Sequence, residues 1–337
     1  MTHELKRIIK AYLKAKDKGI KTVMATVVAL DGSSYRRPGV RMLMNSEGLF
    51  TGAVSGGCVE KEIWRQAQEV FTSGTPRIMT YDGRYRLGCE GILYILIEPF
   101  MPDDEFITSF WKTISERKGI NCRIYRAKDE KDYLKMGTHF YFGNGFKGVR
   151  PGLQQEEGLK FFEQQLMPSH QLLIIGAEHD AVQLSTYGSM TGWEVSIITS
   201  PSEEKNIKDF PGARELLAVS ADDFDVSKID TETSVVLMTH SYVKDLSFLM
   251  ALSKTLPRYL GLLGPTARRE KILNELLERC PDINPDFIEN IHGPAGLDIG
   301  AETAGEIAVS IVAEILSVYR NTHPKYLKDK KGAIHYS

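Results

Sequence analysis

A glycine-rich bend in the first third of the chain places a cysteine where its sulfur could do chemistry. Gly56 and Gly57 come directly before Cys58, and apolar residues recur at helical spacing from Val59 onward, which predicts that a helix begins at the bend. Free backbone N–H groups and the helix dipole would favour a Cys58 thiolate and attract an anion. Ser55 adds a hydroxyl group to the same bend. Cys58 is therefore a candidate soft metal ligand or nucleophile, and a small buried hydrophobic residue is the alternative interpretation.

A loop rich in hydroxyl and guanidinium groups precedes this bend. It contains Ser33, Ser34, Arg36, Arg37 and Arg41. These groups suit a phosphate if the loop folds back towards the bend, and solvated loop charge is the alternative. Cys89 enters a later strand after a glycine turn and is a candidate neighbour of Cys58. The four cysteines form no Cys-x-x-Cys pair, so the sequence predicts neither a disulfide framework nor a zinc ribbon.

A second candidate site lies in the turn that follows the segment QLLII. Gly176 occupies the place where a strand meets a helix, which is where Rossmann domains bind the pyrophosphate of a dinucleotide. Two features disagree with such a site: Glu178 replaces a glycine, and the next strand ends in IITSP without an acid for a ribose hydroxyl. We therefore expect NAD and NADP to bind weakly or not at all. Gly176 then either serves only the tight turn or marks a retained nucleotide site.

Two histidines extend this second site. His240 follows a predicted strand, and open α/β sheets bind ligands at the carboxyl ends of their strands. His179 could join it from the first loop. The spacing of the histidines gives no metal-ligand signature, so no metal site is predicted.

Two kinds of element pattern position these residues. The first part of the chain mixes strand-like and helical segments and ends near Pro99, whereas strands and helices alternate from Gln171 onward. We predict an α/β protein with a small mixed α/β N-terminal domain and a C-terminal Rossmann-like, doubly wound parallel sheet. The predicted boundaries are 1–100, a connecting region with some secondary structure at 101–169, the Rossmann-like domain at 170–322 and a tail at 323–337.

Charge and hydropathy exclude some functional classes. The 337 residues carry 44 acidic and 42 basic side chains, a formal net charge of -2, so no global field recruits nucleic acid or an anionic membrane. The N-terminal segment lacks the apolar region of a signal peptide, and no apolar run approaches the roughly 20 residues of a membrane span. These features predict a cytoplasmic protein.

Several ordered segments resemble the XdhC/CoxI family, the accessory factors of xanthine dehydrogenase and related molybdenum hydroxylases. In the first part they are GSSYRRPGVRMLM, GAVSGGCVE and GCEGILYILIEP; in the second they are LLIIGAEHDAVQL, VVLMTHSYVKD, YLGLLGPTARRE and IHGPAGLDIGAETAGEIAVSIVAEIL. The sequence departs from the family pattern at Glu90, at Glu178 and at Ser200 and Pro201, where glycine, glycine and an aspartate are usual.

The resemblance implies a maturation factor rather than an enzyme. Such a protein binds the molybdenum–pterin cofactor, protects it while a cysteine desulfurase supplies the terminal sulfur, and delivers it to the large subunit of a hydroxylase, as in purine catabolism. Cys58 matches the cofactor-binding cysteine of the family. A homodimer is also expected. The alternatives are a free-standing NAD(P)- or flavin-dependent oxidoreductase, for which the pyrophosphate loop is unsuited, and an assembly scaffold that binds no small molecule.

Overall fold

The computed structural model describes residues 1–32, 37–55, 57–83, 91–127, 130–143, 145–155 and 158–331. The chain divides into two compact units. The first comprises Met1–Pro168 with the C-terminal segment from Lys330, and the second comprises Ser169–Asp329. The predicted boundary near residue 100 falls within the first unit and stays a prediction.

The first half of the first unit is built on a five-stranded antiparallel sheet. Its elements are α1 (Thr2–Lys16), β1 (Thr22–Gly32), β2 (Arg41–Asn45), β3 (Phe50–Gly52), α2 (Cys58–Ser73), β4 (Arg77–Asp82) and β5 (Gly91–Pro99). The strand order is β3-β2-β1-β5-β4.

Both faces of this sheet are buried. Side chains alternate across a strand, so neighbouring residues pack into different cores. Along β1, Val23, Ala25 and Val27 pack on the α2 side, whereas Met24 and Val28 belong to a separate core with α1. The helix α2 meets the sheet through the apolar stripe that its spacing predicts. The stripe consists of Val59, Ile63, Ala67 and Val70, all fully or almost fully buried.

A second antiparallel sheet completes the first unit. Its elements are α3 (Asp104–Ser115), β6 (Ile120–Arg126), β7 (Gly137–Tyr141), β8 (Phe146–Gly148) and β9 (Lys160–Leu166), with the strand order β8-β7-β6-β9. Ile120, Ile124 and Phe140 of this sheet share a core with residues of α1 and α3. The helix and strands of residues 104–166 therefore form a folded layer of the first unit.

The second unit is a six-stranded parallel sheet with helices on both faces. Its elements are β10 (Gln171–Ile175), α4 (His179–Met190), β11 (Glu194–Thr199), β12 (Ala213–Ala218), β13 (Thr233–Leu237), α5 (Tyr242–Leu252), β14 (Tyr259–Leu262), α6 (Thr266–Arg279), α7 (Pro285–Glu289), β15 (Ile291–His292) and α8 (Ala304–Tyr319). The strand order is β12-β11-β10-β13-β14-β15, all parallel.

This order is that of dinucleotide-binding Rossmann domains, in which the first strand lies between the second and the fourth. Leu172 and Ile174 of β10 face a core that includes α4 and α8. Leu173 and Ile175 face the core that includes α5, α6 and α7. Helices therefore cover both faces, and the predicted doubly wound, Rossmann-like fold is confirmed.

Candidate functional site

The bend before Cys58 is organised by a carboxylate. Gly57 precedes α2 with a φ of 121°, a conformation that favours glycine, and Cys58 is the first residue of the helix. Glu60 Oε1 accepts from the backbone N–H groups of Val54 and Ser55 at 3.1 and 2.6 Å. Its Oε2 accepts from the Ser55 hydroxyl at 2.7 Å and from the Gly57 N–H at 2.8 Å.

These donors keep the carboxylate ionised. Burial alone would raise the pKa of Glu60, but the hydrogen bonds from Ser55 and Gly57 outweigh burial and hold the pKa below its ordinary value. The expectation of a free N–H group at Gly57 for an anion is therefore wrong, because Glu60 already occupies that donor. A glutamate three residues after a helix cap is a capping signal, so the sequence contained the means to find Glu60.

Several described strand ends that flank the predicted residues lie at one end of the five-stranded sheet. Gly32 at the end of β1 pairs with Gly91 at the start of β5, and Asp82 at the end of β4 pairs with Ile92. The bend that leads to Cys58 leaves the sheet after β3, beside the start of β2. The loops 33–40 and 83–90 therefore begin at the sheet end where α2 begins. Arg36, Gly56, Cys89 and the side chain of Cys58 lie outside the described residues.

The two remaining arginines of the first loop have different environments. Arg37 is exposed. Arg41 is buried, and its guanidinium donates to the carbonyl of Gly39 and to Gln164 Oε1, each at 2.8 Å, and to Cys122 Sγ at 3.1 Å. A contact of Arg41 with a phosphate would require these bonds to be exchanged, so its guanidinium is best described as part of the interior.

A buried polar layer continues from Arg41 across the first unit. Glu98 is completely buried and accepts from the Thr138 hydroxyl at 2.6 Å and from Arg150 Nη1 at 3.0 Å. Burial raises the pKa of the Cys122 thiol, more than the nearby Arg41 lowers it. This cysteine is therefore unsuited to act as a thiolate, and the layer holds the two sheets together through paired polar groups.

In the second unit, Gly176 makes the close turn that the sequence predicts. Its φ is 135°, and a Cβ atom there would lie 2.3 Å from the carbonyl oxygen of Met238. Glu178 then caps α4 without a side-chain cap bond, and its Oε1 lies 3.9 Å from Lys205 Nζ. The close approach of β10 to β13 therefore requires glycine at position 176, whatever the turn binds.

The structure brings His240 to Asp180, the residue that follows His179. His240 has a φ of 55°, which is uncommon outside glycine, and its Nε2 lies 3.4 Å from Asp180 Oδ2 in the first turn of α4. His179 is exposed. Sequence reasoning missed Asp180, since no local spacing links it to His240.

An acid does follow the second strand of this unit. Glu203 folds back so that its Oε2 accepts from the Thr199 hydroxyl at 2.7 Å, while Oε1 accepts from Lys244 Nζ at 2.8 Å. The strand end itself carries no acid, as its sequence shows, and Glu203 lies beyond it, after a turn. Glu203 and Lys244 line a cleft of about 220 Å³, which also includes Gly176, Glu178 and Thr239.

Metal clusters and membrane spans can be assessed only for the described part of the chain. Within it, no three histidine, cysteine or acidic side chains are grouped so that they could hold a metal ion. Within the same residues, no helix is both long enough and apolar enough to cross a membrane.

Comparisons with known proteins find similarity along most of the chain. A protein of Bacillus subtilis (strain 168) described as a probable xanthine dehydrogenase subunit is 26% identical over 315 residues, covering 87% of this chain and 92% of that protein. The molybdenum cofactor insertion chaperone PaoD of Escherichia coli (strain K12) is 24% identical over 323 residues, covering 94% of this chain and 90% of PaoD. A crystal structure described as a xanthine dehydrogenase from Bacillus halodurans matches with a TM-score of 0.77 at 25% identity, covering 96% of this chain and 97% of that one.

Family models match both units. The XdhC and CoxI family model matches residues 15–82, and the XdhC Rossmann domain model matches residues 172–315. Together the two matches span more than half of the chain, in the order that the resemblance implies. The chain belongs to the XdhC and CoxI family.

Proposed function

We propose that this protein carries the molybdenum–pterin cofactor and inserts it into the large subunit of a xanthine dehydrogenase-type molybdenum hydroxylase. The similarity to an insertion chaperone over nine-tenths of the chain supports this function. The observation that carries the proposal is the position of Cys58 as the first residue of α2, at the sheet end from which the loops 33–40 and 83–90 leave. A helix-start thiolate is a suitable soft ligand for molybdenum.

The roles of the surrounding residues follow from their chemistry. Glu60 binds the backbone of the bend, so it fixes where α2 begins with Cys58. The guanidinium groups of Arg36 and Arg37 complement the pterin phosphate. Ser55, Gly56 and Cys89 are further cofactor-binding residues in this proposal, whereas Arg41 supports the loop from the interior. The cargo stays bound while a cysteine desulfurase supplies its terminal sulfur.

The remaining features of the proposal concern the cell and the assembly. We place the protein in the cytoplasm, where the hydroxylase is assembled. We also propose that it is a homodimer, for which light scattering should give twice the mass of one chain. NAD and NADP have no role in this function. The carboxylate of Glu178 at the start of α4 disfavours a pyrophosphate, which argues against a free-standing oxidoreductase.

Replacing the proposed ligand tests the function directly. The Cys58→Ala variant should keep the fold, because it removes only one small sulfur atom, and should copurify with far less molybdenum and pterin than the unaltered protein. Cys280→Ala is the matched control, since Cys280 is a free, half-buried cysteine of the other unit. Metal analysis and pterin fluorescence measure the cargo. Equal retention by the two variants would remove Cys58 from the site.

A further inference from the structure

The cleft of the second unit has the position of a dinucleotide site. It lies at the carboxyl ends of β10, β11 and β13, where the order of the strands reverses and ligands bind in open α/β sheets. The position of Glu203 after β11 corresponds to that of the acid that bonds ribose hydroxyl groups in such folds.

Glu203 is prepared to accept further hydrogen bonds. Burial alone would raise the pKa of its carboxyl group, but the bonds from Lys244 and Thr199 hold the pKa below the ordinary value, so the group is ionised at neutral pH. Each oxygen uses one acceptor position for these partners and retains another. A vicinal diol could therefore bind both oxygens.

The rest of the cleft suits a flat base. Ile198, Val219 and Ala221 line it together with the buried Phe248 and give a base an apolar surface, while Ser220, Asp222 and Ser247 add polar groups to the wall. The cleft volume of about 220 Å³ lies below the roughly 300–1,000 Å³ of sites for drug-sized ligands. One nucleoside is the appropriate size, and a dinucleotide would have to extend across the start of α4.

The start of α4 disfavours such an extension. Glu178 is the residue before the helix and Asp180 lies in its first turn, so two carboxylates occupy the region where a pyrophosphate would meet the helix dipole. The charge of Lys205 offsets that of Glu178 only weakly, because Lys205 Nζ lies 3.9 Å from Glu178 Oε1 and solvent screens the pair. The residues of this unit therefore fit the nucleoside part of a dinucleotide and do not fit its phosphates.

We propose that the cleft between β10, β11 and α5 binds a nucleoside through its ribose diol, with Glu203 as the acceptor, and rejects the phosphorylated forms. The site lies within the second unit and does not depend on the cargo proposed for the first. A nucleoside there would bind only the Rossmann-like unit, so its occupancy can be measured on cargo-free protein.

Calorimetric titration of the full chain with adenosine, AMP and NAD tests the proposal. Adenosine should bind at least tenfold more tightly than AMP or NAD. Removing the diol with 2′,3′-dideoxyadenosine should weaken binding at least tenfold. Glu203→Gln should weaken adenosine binding by a similar factor, while Glu204→Gln, an exposed neighbour with the same change, should alter it less than twofold.

A variant at Glu178 tests whether this carboxylate is what rejects the phosphate group. Glu178→Gln should tighten AMP binding at least threefold and leave adenosine binding within twofold, because only the phosphate meets this carboxylate. Tighter binding of AMP or NAD than of adenosine by the unaltered protein would overturn the proposal. So would equal binding of adenosine and its dideoxy form, a result that does not depend on how any variant folds. An absence of saturable adenosine binding up to millimolar concentration would also overturn it.

Discussion

Glu60 connects local structure to function at the scale of a single residue. One side chain binds three backbone N–H groups and a hydroxyl group, so Val54, Ser55 and Gly57 are tied to the first turn of α2. The position of Cys58 therefore depends on a carboxylate two residues away from it. A neutral group of the same shape would lose much of this order, since an amide offers one acceptor oxygen instead of two.

The variant Glu60→Gln should lower the free energy of unfolding at neutral pH by about 2 kcal/mol, because hydrogen bonds to charged groups contribute about 1.5–3 kcal/mol. The folded carboxyl has a lowered pKa, so its contribution is complete above the ordinary glutamate pKa and disappears as the pH falls through the lowered value. Urea unfolding at several pH values measures the difference.

Glu62→Gln provides the control on the same helix. Glu62 forms an i, i+3 ion pair with the exposed Arg65, and such surface pairs contribute about 0.5 kcal/mol. A loss at Glu60 no greater than the loss at Glu62 would show that the bend does not depend on this carboxylate.

His139 should give the first unit a sensitivity to acid. The side chain is buried on β7, and burial lowers its pKa to about 4. Between pH 6.5 and about pH 4 the unfolded chain binds a proton that the folded unit does not, so stability falls as the pH drops through this interval. The loss between pH 7 and pH 4.5 should be about 2 kcal/mol smaller in His139→Asn than in the unaltered protein.

A packing control separates protonation from cavity effects. The ring of Tyr125 meets that of His139 edge to face at 5.3 Å between centroids. Tyr125→Phe perturbs the same contact but removes no group that binds a proton in this interval, so the acid dependence should persist. An unchanged pH dependence in His139→Asn would contradict the assignment.

Residue-level prediction succeeded where the signal was local. The glycine turn at position 176 and the helix start at Cys58 follow from a few neighbouring residues. Glu203 and the partner of His240 required knowledge of how a turn folds back and which strands are adjacent. Sequence spacing contains little of that information.

At the scale of elements, the turn between β10 and α4 is fixed by contact with a neighbouring strand. Gly176→Ala would place a methyl group 2.3 Å from the Met238 carbonyl oxygen in a conformation unfavourable to alanine. We expect a loss of roughly 3 kcal/mol in unfolding free energy. Thermal and urea unfolding of the variant measure it.

Gly300→Ala isolates the backbone part of this effect. Gly300 also has a positive φ, 75°, but a Cβ atom there would meet nothing within 4 Å. The left-handed conformation alone should lower the stability by about 1 kcal/mol. Similar losses in the two variants would contradict a steric role for the β10–β13 contact.

The elements that sequence reasoning missed are those with weak apolar patterns. β12 is the edge strand of the parallel sheet and has no fully buried residue, and β9 is another edge strand that reads as a polar stretch rich in glutamine and glutamate. Hydrophobic alternation is weak in strands that solvent reaches. The interior strands β1, β5, β10 and β13 are mostly buried and rich in apolar residues, and their sequences predicted them.

At the scale of the whole molecule, the strand order could not be read from the sequence. Alternating strands and helices predict a parallel sheet, whereas the order β12-β11-β10-β13-β14-β15 emerges only from pairing. The neighbouring points at which the loops 33–40 and 83–90 leave the sheet have the same origin, because they depend on the pairing of Gly32 with Gly91. The resemblance to a family predicted that the segments containing these two loops belong to one site, but it did not predict how the strands that carry them pair.

A carrier of this kind must release its cargo, so its contact with the hydroxylase large subunit should be transient. An interface that dissociates after delivery is expected to be small and polar. Deleting the gene should leave the hydroxylase polypeptide present but without active, sulfurated cofactor. Cargo-loaded protein should restore activity when added to the apo-enzyme, and the Cys58→Ala variant should not.

The deletion also distinguishes the alternatives. Loss of a free-standing oxidoreductase would leave the hydroxylase fully active. A scaffold that binds no small molecule would restore activity equally well with Cys58→Ala, provided that free cofactor is supplied. Full hydroxylase activity in a deletion strain without a paralogue would rule out the accessory function, because the hydroxylase would then receive its cofactor without this protein.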